Sequence, residues 1–101
     1  MKKLNDSEIN NLLKDLNLWS YSNNVISKKY QLKSFMESMS FSNLIADRSE
    51  QMDHHPKIEI DFKYVEISIS THSVGGITDL DIDLAKFIEE LYNELYFFEE
   101  K

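Results

Sequence analysis

The chain has 101 residues, 42% of them hydrophobic and 29% charged, with a formal net charge of -7 and no cysteine. That length suits one domain with a modest core, and residues 1–101 are expected to form a single domain. The acidic balance and the scattered lysines argue against direct nucleic-acid binding, because phosphate recognition draws on clustered Lys and Arg. Absence of cysteine excludes disulfides and thiolate chemistry and fits a reducing compartment. No apolar run reaches the roughly 18 residues of a membrane span, and Met1-Lys-Lys-Leu-Asn5 lacks the apolar core of a signal peptide. A cytoplasmic, membrane-free location is therefore expected.

Ile9, Leu12, Leu13 and Leu16 recur at helical spacing behind Asn5 or Asp6, either of which can cap, so a short helix is predicted over 6–16. Trp19 and Tyr21 then lead to Asn23-Asn24, a turn signal, and to alternating Ile26, Lys28, Tyr30 and Leu32, which reads as a hairpin. Ser34 with Glu37 forms a capping-box signal for a second helix. In that helix Phe35, Ser38, Phe41, Ile45, Ser49 and Met52 predict one inward face, broadened by Met36, Met39 and Leu44. Pro56 disfavours helical geometry at His55, which places His54-His55 at a helix end and the loop after it.

Ile58, Ile60 and Phe62, then Val65, Ile67, Ile69 and Thr71, alternate with polar residues and predict two further strands. His72 shares parity with Ser68 and Ser70, opposite the isoleucines. Gly75-Gly76 marks a turn, and Thr78 with Asp81 opens a last helix. This helix carries Leu84, Ile88, Leu91, Leu95 and Phe98, flanked by Ala85, Tyr92 and Tyr96. Two apolar rows leave room for contact with another subunit. The order α-β-β-α-β-β-α predicts an α+β fold, a four-stranded antiparallel sheet covered by helices.

All three histidines fall between positions 54 and 72. A metal site is not expected, since the neighbouring rings of His54 and His55 should diverge and helical zinc ligands stand four residues apart. Ser70 and Ser73 beside His72 lack any nucleophile-elbow pattern. General acid-base chemistry is left, with Glu50, Asp53 and Asp81 near enough in sequence to set protonation. Each residue also has an ordinary structural use, such as Asp81 facing a helix dipole.

The spacing resembles the pterin-4a-carbinolamine dehydratase family. Glu50 is followed after three residues by His54-His55-Pro56, then after five by Phe62, after nine by His72 and after eight by Asp81. Thr71-His72-Ser-Val-Gly75-Gly76-Ile-Thr78 resembles that family's Thr-His-x-x-Gly-Gly-Leu-Thr segment. Trp19, the second-helix set Phe35, Phe41, Ile45, Ala46 and Glu50, and Leu84-Ala85 with Ile88 extend the likeness over nearly the whole chain. Departures occur near Ile58, where some members carry Trp, and at Phe62-Lys63, where many carry Tyr-Asn; both concern the shape of the pocket rim and the preference for a substrate side chain.

The resemblance implies a lyase that dehydrates 4a-hydroxytetrahydropterin to quinonoid dihydropterin, in tetrahydrobiopterin recycling. It implies His54 and His72 as the acid-base pair and His55 as chiefly a pterin-binding residue of the catalytic set. Glu50, Asp53, Ser70 and Thr71 would line the site and Asp81 would support it. No metal or organic cofactor is implied. A dimer or tetramer of identical subunits is expected. Two other implied roles are dimerisation partner of a transcription factor, with a nuclear location, and pterin binding in molybdopterin metabolism.

Overall fold

A computed structural model describes residues 1–97; Phe98, expected on the last helix, lies outside them. Helix α1 spans Asp6–Leu13, strands β1 Ser20–Ser22 and β2 Val25–Gln31, helix α2 Phe35–Met52, strands β3 Lys57–Asp61 and β4 Tyr64–Ile69, and helix α3 Asp79–Leu91. A π-helical turn, Tyr92–Tyr96, continues α3. The four strands form one antiparallel sheet in the order β1-β2-β4-β3. The α+β order is the predicted one.

Local chemistry explains most boundaries. Asn5 caps α1 in a complete capping box with Glu8, although the helix stops at Leu13 rather than Leu16. Asn23 and Asn24 both adopt positive φ, 53° and 62°, the geometry that a two-residue hairpin link demands and asparagine tolerates. Ser34 caps α2 through the Glu37 amide. The reciprocal half of that box differs from expectation, because the Glu37 carboxylate accepts from the Lys33 amide, 3.0 Å away, rather than from Ser34. Thr78 and Asp81 complete a capping box at α3.

Alternation sorts the sheet into two faces. Ile26, Lys28 and Tyr30 of β2 and Val65, Ile67 and Ile69 of β4 are buried beneath the helices with Phe41, Ile45, Leu84 and Ile88. The opposite face carries Val25, Ser27 and Lys29 of β2 with Glu66 and Ser68 of β4, and helices leave it open. On α2 the buried stripe is Ser38, Phe41, Ser42, Ile45 and Ser49, narrower than predicted. Phe35, Met36 and Met39 are exposed; at about 100° per residue Met36 points nearly opposite the stripe and Met39 to its side, while Phe35 stands at its margin in the first turn.

Two further expectations shift. Phe62 is not a strand residue: it lies in the link between β3 and β4, with φ 54° and 60% exposure. Pairing of Asp61 with Tyr64 leaves only Phe62-Lys63 to reverse the chain, so register overrides side-chain preference. Strand β4 ends at Ile69, and His72 begins a short 3-10 turn, His72–Val74, closed by Gly75 at φ 66°.

Candidate active site

The reversal after α2 aims the histidine pair. Asp53 adopts the left-handed conformation, φ 50° and ψ 45°. Its amide bonds the Glu50 carbonyl, and the His54 amide bonds the Ser49 carbonyl at 3.0 Å. This is a Schellman-type helix end, and aspartate is among the few residues that accept it readily. Asp53 is exposed, so its placement makes it a turn former rather than a demonstrated ligand.

His54 and His55 diverge. His54 turns inward and is 8% exposed, and its Nε2 lies 2.6 Å from Oδ1 of the fully buried Asp81. Thr71 Oγ1 donates to Asp81 Oδ2 at 2.7 Å, and the Thr78 amide donates to the same oxygen at 2.8 Å. A buried carboxylate without partners would cost several kcal/mol. Here three donors and the N-terminus of α3 compensate it. With Asp81 as acceptor, the proton of His54 resides on Nε2. Among the described residues nothing bonds Nδ1, and that nitrogen is not sealed from solvent.

His55 turns outward and sits 2.9 Å from Glu50 Oε2; both are exposed, so this ion pair is worth little. His72 is exposed, and its ring makes no protein hydrogen bond among the described residues. The two rings meet across a cleft of about 190 Å³ lined also by Val25, Lys57, Ser68 and Ser70. The cleft therefore opens at the end of the uncovered sheet face. The predicted parity of His72 with Ser68 and Ser70 holds, although the residue belongs to the 3-10 turn.

The structure thus brings His55, His72 and Ser70 together along the cleft and ties His54 to Asp81. Thr71, expected as a lining residue, is instead 6% exposed and turned toward Asp81 and Thr78. Lys57, Ser68 and Val25 line the cleft without having been singled out. The parity of Ser68 with Ser70 was the available signal; nothing in the sequence marks Val25 or Lys57. Gly76 pairs with Thr71, and a Cβ there would meet only the flexible side chain of the exposed Lys3, 2.6 Å from its Cε, which can move aside. Among the described residues no group of three or more His, Asp or Glu side chains is arranged to hold a metal ion.

The family model described as pterin 4 alpha carbinolamine dehydratase matches residues 2–91. The chain belongs to this family. A relative in Sulfurisphaera tokodaii, provisionally named pterin-4-alpha-carbinolamine dehydratase, is 42% identical over 90% of this chain and 98% of its own length. One in Aquifex aeolicus with the same provisional name is 37% identical over 94% of this chain and 96% of its own. The crystal structure of a transcriptional coactivator/pterin dehydratase from Brucella melitensis superposes with a TM-score of 0.86 at 29% identity, covering 89% of this chain and 98% of that one. A pterin dehydratase-like protein described as a RuBisCO assembly factor of the alpha-carboxysome has a TM-score of 0.60 at 19% identity, over 72% of this chain and 84% of its own. That last likeness extends to the fold alone. Membership of the family supports dehydratase activity on a pterin. No helix among the described residues is long and apolar enough to cross a membrane.

Proposed function

We propose that this protein dehydrates 4a-hydroxytetrahydrobiopterin in the cleft at the sheet end, as a step of tetrahydrobiopterin recycling in the cytoplasm. The reaction breaks the C4a–O bond, the departing oxygen takes a proton to become water, and N5 gives up its proton as the C4a=N5 bond forms. One group must give a proton to the departing oxygen and one must take the proton from N5. His54 and His72 fill these roles in this reading, while His55 chiefly binds and orients the pterin with Glu50, Asp53 and Ser70. No cofactor takes part; the pterin is the substrate.

The observation that carries the reading is the state of His54. Its ring is held by Asp81 through Nε2 with Nδ1 left open, one residue along the chain from a ring that lines the cleft. A carboxylate that fixes an imidazole's tautomer and orientation is a recurrent arrangement of acid-base sites. The test is stopped-flow dehydration of freshly generated 4a-hydroxytetrahydropterin, with the spontaneous rate subtracted. Accelerated turnover that is lost in both His54→Ala and His72→Ala supports the proposal; equal rates in wild type and both folded variants overturn it.

Self-assembly accompanies the reading. Phe35, Met36, Met39, Leu95 and Phe97 are exposed apolar side chains on helices or just beyond them, the material of a subunit contact. Light scattering of the purified protein tests for a dimer or tetramer, and a monomer at micromolar concentration would remove this part.

A further inference from the structure

Thr71 and Thr78 are buried and do not line the cleft, yet they are joined to His54 through one carboxylate. Asp81 accepts from Thr71 Oγ1 at 2.7 Å and from the Thr78 amide at 2.8 Å on Oδ2, and its Oδ1 faces His54 Nε2 at 2.6 Å. The hydroxyls of Thr71 and Thr78 are 2.9 Å apart. Since Thr71 spends its single hydrogen on Asp81, the hydrogen between the two threonines comes from Thr78. Thr78 Oγ1 in turn accepts from the Leu80 amide at 3.3 Å, in the first turn of α3. The chain of donors therefore runs one way, from Leu80 through Thr78 and Thr71 to Asp81.

We propose that Thr71 and Thr78 are positioning residues that act on His54 through Asp81. Resting on the dehydratase reading, the proposal adds that the nitrogen exchanging a proton with the substrate is Nδ1. Thr71 and the Thr78 amide occupy Oδ2 and hold the carboxylate plane, leaving Oδ1 for the Nε2 proton. Without the Thr71 hydroxyl, Asp81 would lose one of the two donors that fix Oδ2, and the Thr78 amide alone would hold the carboxylate less firmly in its plane. The imidazole could then exchange tautomers or swing from its place, while the cleft lined by His55, His72 and Ser70 would keep its shape. Turnover should suffer and substrate affinity should not.

The experiment compares Thr71→Val, Thr71→Ala and Thr71→Ser, with folding verified by circular dichroism. Loss of one hydrogen bond to a charged group predicts a fall in kcat of about tenfold to a hundredfold for Val and Ala, with KM changed less than about twofold. Thr71→Ser should regain most of the wild-type rate. Ring nitrogen shifts of His54 in protein with 15N-labelled histidine provide a readout that a packing defect would not move. The wild type should show one tautomer protonated at Nε2, and Thr71→Val or Thr71→Ala a mixture. Wild-type kcat in folded Thr71→Ala, or an unaltered tautomer despite lost turnover, overturns the proposal. Absence of turnover in the wild type would remove the dehydratase reading alone, because the tautomer comparison still decides whether Thr71 sets the ring.

Discussion

Helix α3 is tied to the rest of the molecule by two buried polar networks, and they differ in what they leave open. Near its C-terminal end, Glu89 Oε1 receives Lys28 Nζ at 2.8 Å and Tyr30 Oη at 2.6 Å, and Trp19 Nε1 donates to Tyr30 Oη at 3.1 Å. Burial alone would raise the Glu89 carboxyl, but the hydrogen bonds from Lys28 and Tyr30 outweigh it and hold the group below its ordinary value. Burial and the neighbouring Glu89 push the Tyr30 phenol upward. Near the N-terminal end, Asp81 gathers His54, Thr71 and Thr78, and one imidazole nitrogen stays uncommitted. The first network closes on itself and fastens helix to sheet. In the second, the Nδ1 nitrogen of His54 has no protein partner among the described residues, and that distinguishes a site from a strut.

This contrast is open to direct attack. The largest expected effect is at the N-terminal network. His54→Ala and Asp81→Asn should each lower kcat for dehydration by about 10²–10⁴, the range for a removed or misoriented acid-base group, measured by stopped flow on folded protein. At the other network the damage should fall on stability. Lys28→Met leaves the partly buried Glu89 carboxylate with Tyr30 but without its cation and should cost about 1–3 kcal/mol in urea denaturation, with kcat within a few-fold of wild type. Comparable catalytic losses from both ends of α3 would dissolve the distinction.

A smaller, pH-dependent effect separates the networks further. The Glu89 carboxyl is held low in the folded state, so its contribution is complete above the ordinary value of 4.5 and is lost as pH falls below it. The urea midpoint of the wild type should therefore drop on acidification from pH 6 to pH 3 by more than that of Glu89→Gln. An equal drop in both would assign acid sensitivity elsewhere. For the cleft, His55→Ala should raise KM about tenfold and change kcat little, in contrast to His54→Ala. The smallest effect concerns the β3–β4 link. Phe62→Gly relieves a left-handed conformation and should stabilise the protein by up to about 1 kcal/mol, read from the thermal midpoint.

Most elements were legible because their signals are local. Asn5, Ser34 and Thr78 cap helices, Asn23-Asn24 turns a hairpin, and two-residue alternation separates the covered sheet face from the open one. Expectation failed in different ways. Periodicity assigned Phe35, Met36 and Met39 to the inner face of α2, but the buried stripe is narrower and leaves them at its margin, opposite it and to its side. Phe62-Lys63 bears no turn residue, and only the pairing of Asp61 with Tyr64 makes it a turn. Lys28 stood at an inward position between Ile26 and Tyr30, a sign of a buried partner, yet nothing local names Glu89.

The candidate site divides along the same line. Sequence by itself determined the α+β order, the family, the histidine cluster and the helix end that presents His54 and His55, because caps, turns and alternation act within a few residues. Only the tertiary structure decided how the cluster is shared out. His54 meets Asp81 across 27 residues and Thr71 meets Asp81 across 10, while His55 and His72 face a cleft that exists only once β3 has paired with β4. Such pairings depend on how helices and strands dock, and docking is settled by volume and buried hydrogen bonds summed over the whole core.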